Sequence, residues 1–251
     1  ASDYFSVQVA DSFYLGKDYY KREMYPAMLR SPIVNRGAHL YSDLSMYFLK
    51  EIIERISHQP FEEYVEEQFF KPLGMHTTGY KPRKKLDKNQ IVPTEDDKYF
   101  RKTLLWGFVH DQGAALLGGV GGHAGIFSNA SDLLTLFQMN LNNGYYGGKK
   151  YFQENTVLRF SQRQFPRNRR GLGWDRPELN GGGPTSRYVS SQTYGHTGYT
   201  GTSVWIDPQN NIVFVFLSNR GYPIDNNKKL IKHNTRTRIQ DLVYKAMINY
   251  Y

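Results

Sequence analysis

Two short segments, far apart in the chain, carry residue types suited to acyl transfer. Tyr41-Ser42-Asp43 stands before an amphipathic stretch, and His196-Thr197-Gly198 stands before a run rich in β-branched and aromatic residues. In acyl transfer a hydroxyl attacks a carbonyl carbon while a neighbouring base takes its proton. A phenol, a carboxylate and an imidazole are groups that can hold or move that proton. Because a tripeptide recurs often by chance, the order and the flanks of the two segments carry the argument.

Other chemistries have weaker support in the sequence. The seven histidines show neither His-x-x-x-His nor His-Glu-x-x-His spacing, so no metal site is expected. Residues 119–124 formally fit a dinucleotide-binding glycine pattern, but no clear strand precedes them and no acidic residue follows about 20 positions on. No Gly-x-Ser-x-Gly occurs, which argues against an α/β-hydrolase. The glutamate pairs at 62–63 and 66–67 are typical of a solvated helix face. We therefore expect no cofactor.

The elements expected around the first segment are helical. Ser42 or Asp43 can cap a helix of about four turns that runs to Ser57, because apolar residues recur behind it at helical spacing. Pro60 suits the first turn of a second helix. Residues 79–112 are predicted to be a long irregular excursion.

Further along the chain, a glycine-rich stretch at 118–125 leads towards a third helix. Ser131 is predicted to cap this helix, and Gly144 is predicted to stop it. Residues 163–188 have the composition of a loop.

The clearest β signal lies near the C-terminus. The runs 202–207 and 212–218 are β-branched and aromatic, and the four polar or turn-forming residues between them predict a hairpin. A closing helix is predicted from Asn234 to about Tyr250. Strands followed by a packing helix imply an antiparallel sheet covered by helices, which is a mixed α/β fold of the α+β type.

Taken in order, these segments resemble the serine β-lactamase and penicillin-binding-protein superfamily, above all its class C-like esterase and peptidase branch. Tyr41-Ser42-Asp43 resembles the Tyr-x-Asn motif, and His196-Thr197-Gly198 resembles the Lys/His-Thr-Gly strand. Between them, 70–79 resembles the Pro-Leu-Gly-Met stretch, and 122–134 resembles the Ala-Gly loop with its Asp-Leu helix. The likeness runs from about Tyr25 to the C-terminus. It implies a β-lactamase/transpeptidase-like fold, with an antiparallel sheet flanked by helices and a helical subdomain.

The resemblance implies one domain over residues 1–251 that is N-terminally incomplete. A helical and loop subdomain is expected at about 40–190, and the sheet with its terminal helix at about 191–251. The family's nucleophile lies in Ser-x-x-Lys upstream of the tyrosine motif, but no serine here has Lys three residues later. The first residues also look like a cut, so we expect that the chain lacks the family's N-terminal portion. The alternative is a true loss of the nucleophile, which would leave a binding domain.

By the resemblance, Tyr41 belongs to the base system of the site. A phenol with an ordinary pKa of ~10 needs an adjacent cation to act as a base, and the absent Ser-x-x-Lys lysine would supply it. Asp43 stands where the family has Asn. An ionised carboxylate only accepts hydrogen bonds, so Asp43 cannot donate to a substrate carbonyl but could pair with that lysine. The structural alternatives are a packing role for Tyr41 and a helix-capping role for Asp43.

The second motif departs from the family at its first position, where His196 replaces the commoner Lys. An imidazole of ordinary pKa is mostly neutral at pH 7, so it would hold a substrate carboxylate less firmly. By the resemblance, the Tyr199 N–H would be one oxyanion donor, and the absent serine's own N–H would be the other. Thr197 and Gly198 would bind substrate along the strand. His123 could line the pocket, or it could be a loop histidine that is hydrogen-bonded to backbone.

Composition limits the classes of partner that the chain is expected to bind. The 251 residues contain 32 Lys and Arg against 23 Asp and Glu, which gives a net charge of +9, and they contain no cysteine. The basic clusters at 81–88, 163–170 and 228–238 are not interleaved with stacking aromatics, so nucleic-acid binding is not expected. The longest apolar runs, 212–217 and 113–120, fall short of the ~20 residues of a transmembrane helix. The absence of cysteine leaves the compartment open, and the resemblance implies a periplasmic or extracellular location in the cell envelope.

The resemblance implies a serine hydrolase that works through an acyl-enzyme. The departures at Asp43 and His196 favour an ester or a D-amino-acid peptide over a β-lactam amide as its substrate. Expected partners are a small-molecule ester or a peptidoglycan-derived substrate, and the missing N-terminal segment of the domain. Without that segment the chain alone is expected to be inactive, and an exposed sheet face or edge would invite association. The alternative function is a non-catalytic cell-wall or glycan-binding accessory domain of a β-N-acetylglucosaminidase fusion.

Overall fold

The computed structural model describes residues 2–34, 36–178, 183–223 and 227–248, and it divides into two structural units. Unit 1 consists of Ala1–Pro72, His76–Ser128 and Gly221–Asp225, and unit 2 consists of Leu73–Met75, Asn129–Arg220 and Asn226–Tyr251. The expectation of one incomplete domain stays a prediction.

Unit 1 begins with a hairpin that the sequence did not predict. Strands β1 (Phe5–Ala10) and β2 (Phe13–Gly16) pair antiparallel, and Ser12 turns the chain between them with a positive φ of 60°. A π-helical turn, Tyr20–Met24, continues directly into α1 (Tyr25–Leu29). The weak periodicity of this region has a physical cause, because the paired strands are short and their register is interrupted by bulges.

The helix behind the Tyr-Ser-Asp segment is confirmed. Helix α2 (Leu44–Ser57) covers 14 residues, and α3 (Phe61–Val65) follows it and continues into a π-helical turn, Glu66–Phe70. Pro60 occupies the N-cap of α3 with a non-helical ψ of 139°, one position earlier than predicted. The apolar spacing therefore placed both helices, and only the helix ends differ.

The predicted excursion between 79 and 112 contains regular structure. Strands β3 (Pro93–Asp96) and β4 (Leu104–Trp106) form a second hairpin, and α4 (Gln112–Leu116) begins at the end of this segment. Arg101 lies in the loop between β3 and β4, and its side chain is fully buried. It donates to the Asp97 carboxylate and to the backbone carbonyls of Val109 and His110, which fixes the chain just before α4.

The Arg101–Asp97 pair makes unit 1 sensitive to acid. Burial raises the pKa of Asp97, but the hydrogen bonds from Arg101 and from three backbone N–H groups outweigh it and lower the pKa to about 2. A carboxyl whose folded pKa is depressed stabilises the fold above its unfolded pKa and loses that contribution as pH falls through the folded value. The contribution of about 2 kcal/mol should therefore disappear between roughly pH 4 and pH 2.

We expect Asp97→Asn to lower the free energy of unfolding at pH 7 by about 3 kcal/mol, because a buried guanidinium loses its nearest counter-charge. Denaturant unfolding at pH 7 and pH 3 measures the loss. Asp96→Asn is the matched control, since Asp96 carries an exposed ion pair with Lys98. Equal stability of the two variants at pH 7 would contradict the account.

Unit 2 contains the predicted sheet and its helices. Strands β7 (Tyr194–Thr197), β8 (Ser203–Asp207) and β9 (Ile212–Phe216) form an antiparallel sheet in the order β7-β8-β9. The other elements of the unit are helices α5 (Ala130–Leu141), α6 (Glu154–Ser161), α7 (Lys229–Lys232) and α8 (Thr235–Ile248), and the short strands β5 (Tyr145–Tyr146) and β6 (Lys149–Lys150). The predicted hairpin is confirmed as β8–β9.

The core of unit 2 lies between α5 and the sheet. Val157, Tyr194 and Ile206 are buried there, with Phe137 and Trp174 packed against them. The predicted cap of α5 is wrong by two residues. Asn129 is the N-cap, and its side chain accepts the N–H of Asp132 at 2.9 Å. Of the predicted loop 163–188, residues 179–182 lie outside the described part of the chain, as does Tyr250 at the predicted end of α8.

Helix α8 presents apolar side chains to solvent. Leu242 is 64% exposed, and Ile239, Val243 and Met247 on the same helix are each more than a third exposed. Strand β9 is an edge of the sheet among the described residues, because its one recorded partner is β8. The sequence predicted an exposed face or edge of the sheet rather than of a helix, and association through the sheet stays a prediction. Among the described helices, none is long and apolar enough to cross a membrane.

Candidate functional site

The Tyr-Ser-Asp segment lies at the start of α2 in unit 1. Tyr41 is 63% exposed, and Asp43 occupies the N-cap position of the helix. The Asp43 carboxylate makes no capping hydrogen bond. Instead the Ser42 hydroxyl accepts the Leu44 N–H at 3.3 Å. The helix therefore does not use the carboxylate of Asp43, which stays available for other contacts.

His123 lies beside this helix start and is held by Asp111. The two side chains share a hydrogen bond of 2.8 Å between His123 Nε2 and Asp111 Oδ1, and the His123 side chain is only 7% exposed. Asp111 also caps α4 by accepting the Ala114 N–H at 2.7 Å. The sequence suggested a substrate contact or a hydrogen bond to backbone for His123, and the observed partner is a carboxylate.

Two carboxylates, those of Asp43 and Asp111, dominate the electrostatics around Tyr47 and His123. Burial raises the pKa of Asp111, but the hydrogen bonds from His123 and from the Ala114 N–H outweigh it and hold the pKa below its usual range. Tyr47, on the next turn of α2, has its pKa raised to about 12 by burial and by the charges of Asp111 and Asp43. Tyr47 therefore stays protonated at neutral pH, whereas Asp111 stays ionised.

Three groups of metal-ligating type come together here, although no sequence spacing suggested it. Atoms of Asp43, Asp111 and His123 lie within 4.8 Å of one another. They come from a helix start, a helix cap and a glycine-rich loop, and only the fold brings such segments together. The direct His123–Asp111 hydrogen bond already accounts for the closest of these contacts, so we assign no metal to them.

The His-Thr-Gly segment lies on β7 in unit 2. His196 and Thr197 pair with Val204 and Ser203 of β8, and the Gly198 N–H donates to the Thr202 carbonyl at 2.8 Å to close the turn. The sequence placed the segment just before a strand, whereas the structure makes it a strand of its own. Regular pairing fixes the positions of its backbone groups.

Tyr199 follows this strand in the turn to β8. Its ring is 62% exposed and lies under the Arg220 guanidinium, whose centre is 4.2 Å from the ring centroid. Arg220 also donates to the Tyr199 carbonyl at 2.6 Å, and Arg236 donates to the Thr202 carbonyl at 2.9 Å. Two cations therefore brace the turn that carries the predicted oxyanion donor.

His196 has a cationic neighbour that sequence reasoning missed. An Arg170 N–H lies 3.0 Å from His196 Nε2, and His196 Nδ1 lies 2.8 Å from the Thr197 carbonyl oxygen. A guanidinium only donates, so Nε2 accepts and Nδ1 carries the proton that is donated to Thr197. The sequence had shown Arg170 only as one member of a basic cluster, and nothing in its spacing linked it to a residue 26 positions away.

Asp175 ties Arg170 to the same strand. Its carboxylate lies 3.5 Å from Arg170 and accepts two hydrogen bonds from Arg169, while its backbone exchanges hydrogen bonds with Gly195. Gly195 is the residue before His196. The arginines are thus fixed to β7 through Asp175, and the positive charge is held at the strand rather than on a free side chain.

The predicted site residues divide between the two units. Tyr41, Asp43 and His123 belong to unit 1, and the structure brings Asp43 and His123 close together. The four residues from His196 to Tyr199 belong to unit 2. The catalytic and substrate-binding roles of all seven stay predictions.

Comparison with known proteins now identifies the family. The sequence pattern of the Beta-lactamase family matches residues 7–236, so the chain belongs to the beta-lactamase family. A curated relative from Salmonella gallinarum is 41% identical over 210 residues, which cover 77% of this chain and 48% of the relative. A second, from Salmonella paratyphi B, is 41% identical over 207 residues, covering 76% of this chain and 47% of the relative. Both carry the name "Putative D-alanyl-D-alanine carboxypeptidase". The chain thus spans about half the length of the curated relatives it matches.

Solved structures agree on the fold. A penicillin-binding protein homologue from Caulobacter crescentus aligns with a TM-score of 0.57 at 18% identity, over 80% of this chain and 59% of that one. Simvastatin synthase from Aspergillus terreus aligns with a TM-score of 0.61 at 17% identity, over 91% of this chain and 60% of that one. At such identities the likeness concerns the fold alone. The predicted β-lactamase and penicillin-binding-protein-like fold is confirmed.

Proposed function

We propose that this chain is part of a serine acyl hydrolase that removes a D-amino acid from the carboxyl end of a peptidoglycan-type peptide. The observation that carries the proposal is the Arg170–His196 contact on β7. The names of the Salmonella relatives point in the same direction. Because peptides of this kind occur in the cell envelope, we extend the proposal to a location there.

Arg170 can offer a substrate carboxylate the positive charge that a neutral imidazole at position 196 would not offer. A neutral imidazole offers no charge to a substrate carboxylate, whereas a guanidinium stays charged at every physiological pH and matches a carboxylate in shape. Arg170 is held beside the His-Thr-Gly strand by Asp175, so its position costs little further ordering when substrate binds. A free C-terminal carboxylate is therefore the substrate feature that this strand is best equipped to recognise.

The chemistry would run through an acyl-enzyme. A serine hydroxyl attacks the scissile carbonyl carbon, its proton passes to the base system, and the released amine takes that proton as the C–N bond breaks. Water then attacks the ester and frees the enzyme. Tyr41 is the proposed proton carrier, and the Tyr199 N–H is one proposed oxyanion donor. The serine and its lysine would come from polypeptide outside this sequence, since no Ser-x-x-Lys occurs within it.

The test uses the intact gene product that contains this chain and compares its activity on two peptides. A tripeptide ending in D-Ala-D-Ala and the same tripeptide with a C-terminal amide differ only in the terminal charge. We expect D-alanine release from the free acid with a kcat/KM at least about tenfold above that of the amidated peptide, because a hydrogen-bonded charge contributes roughly 1.5–3 kcal/mol. Equal rates for the two peptides would overturn the substrate assignment.

A different outcome would favour the alternative function. Calorimetry that shows binding of a muropeptide, together with no release of D-alanine over hours, would overturn acyl hydrolysis. It would indicate a non-catalytic cell-wall-binding domain, as in a fusion to a β-N-acetylglucosaminidase.

A further inference from the structure

The glycine-rich loop of unit 1, residues 118–125, makes direct backbone contact with the first turn of α2. A side chain added at Gly122 would place its Cβ 2.4 Å from the Met46 carbonyl oxygen, so the loop already touches the helix backbone there. The same loop carries His123, whose ring packs edge-on against Tyr47 with centroids 4.6 Å apart. The loop therefore meets α2 three and four residues after Asp43, and five and six residues after Tyr41.

Three contacts restrain the His123 ring. Asp111 accepts a hydrogen bond from Nε2, Tyr47 packs against one side, and a Cβ at Gly121 would lie only 2.7 Å from Cε1 of the ring. Because the Asp111 carboxylate is ionised and only accepts, Nε2 must carry the proton. A ring held in one tautomer and one orientation can determine where its neighbours lie.

Asp111 is anchored in its turn. Its carboxylate caps α4, and the residues just before it are clamped by the buried Arg101, which donates to the Val109 and His110 carbonyls. A continuous series of contacts thus runs from the β3–β4 hairpin through Asp111 and His123 to the start of α2. The carboxylate of Asp43, which does not cap its own helix, lies next to this series.

We propose that Asp111 and His123 form a positioning pair that fixes the start of α2, and with it Tyr41 and Asp43, for the proposed acyl transfer. His123 acts through other residues rather than on substrate, because its ring is almost fully buried and its Nε2 is occupied by Asp111. The inference rests on the proposed function for its catalytic consequence, but not for its geometry.

The geometry is tested on the chain itself by NMR. Long-range ¹H–¹⁵N spectra should show the Nε2–H tautomer for His123, and His123→Ala should shift the backbone amide signals of residues 41–47. His76→Ala is the matched control, since His76 is an exposed histidine of the same unit. An Nδ1–H tautomer, or unchanged signals at 41–47, overturns the proposal.

The catalytic consequence is tested by ester hydrolysis with the intact gene product. p-Nitrophenyl acetate lacks a carboxylate, so its turnover does not depend on Arg170. We expect His123→Ala to lower kcat at least fivefold with KM changed less than twofold, and His123→Gln, whose amide can still donate to Asp111, to recover most of it. Gly122→Ala should lower kcat in the same way with the His123 tautomer intact. A rise in KM alone, or no recovery of kcat in His123→Gln, overturns the positioning role. Absence of turnover in the unaltered protein overturns the proposed function instead. The NMR test of the geometry does not depend on that outcome.

Discussion

Arg170→Ala should lower kcat/KM for a peptide ending in D-Ala-D-Ala by about 10- to 150-fold, the range expected when a charged hydrogen bond of roughly 1.5–3 kcal/mol is lost. The loss should fall mainly on substrates with a free terminal carboxylate, because Arg170, which contacts His196, is the proposed partner of that carboxylate. Steady-state kinetics with the free-acid peptide and with p-nitrophenyl acetate measure the two effects separately. For the free-acid peptide, the kcat/KM of Arg170→Lys should lie between those of the unaltered protein and Arg170→Ala, because an ammonium keeps the charge but not the planar fork.

Two controls distinguish a loss of carboxylate recognition from a loss of folded structure. Arg167→Ala changes an exposed arginine of the same loop and should leave both substrates unaffected. Ester turnover by Arg170→Ala should stay within about twofold of the unaltered protein, which would show that Asp175 still holds the loop on Gly195. A parallel fall for peptide and ester would contradict carboxylate recognition by Arg170.

Tyr41→Phe should lower kcat at least tenfold for every substrate, ester or peptide. Removing a proton carrier typically costs 10²–10⁴ in rate, and a phenylalanine has the same ring without the hydroxyl. Unlike Arg170→Ala, Tyr41→Phe should slow ester and peptide substrates alike, because proton transfer is needed whether or not the substrate has a carboxylate. Initial rates with p-nitrophenyl butyrate and with the D-Ala-D-Ala peptide measure it.

The control for Tyr41→Phe is Tyr99→Phe, because Tyr99 is 88% exposed and belongs to the same unit. The ring of Tyr41 is also largely exposed, so loss of packing is a weak explanation for any large effect. Unchanged turnover in Tyr41→Phe would remove this residue from the mechanism.

Much of the fold could be predicted because hydrophobic spacing is local. Helix α2 and the β8–β9 hairpin follow from apolar residues at helical or alternating spacing, which a single stretch of sequence displays. The β1–β2 and β3–β4 hairpins were missed because their strands are three to six residues long and interrupted by bulges. Short irregular strands carry too few alternating positions to be distinguished from loops.

The candidate site could be predicted only in part, for a related reason. The two motif segments are contiguous in sequence and were found by their types and order. Arg170 and Asp111 contribute through contacts with residues 26 and 12 positions away, on elements whose packing sequence spacing does not encode. The absence of a capping bond from Asp43 was equally hidden, because Ser42 and Asp43 are both good helix caps by type.

The central claim is that this chain belongs to an enzyme that acylates one of its own serines. The most direct measurement is the intact mass of the gene product, taken within seconds of mixing with a slowly hydrolysed D-Ala-D-Ala ester or peptide. The account predicts an added mass equal to the acyl group, on a serine of a Ser-x-x-Lys segment, which forms at least tenfold more slowly in Tyr41→Phe. Turnover without any covalent adduct, or an adduct whose rate is unaffected by Tyr41→Phe, would contradict the account.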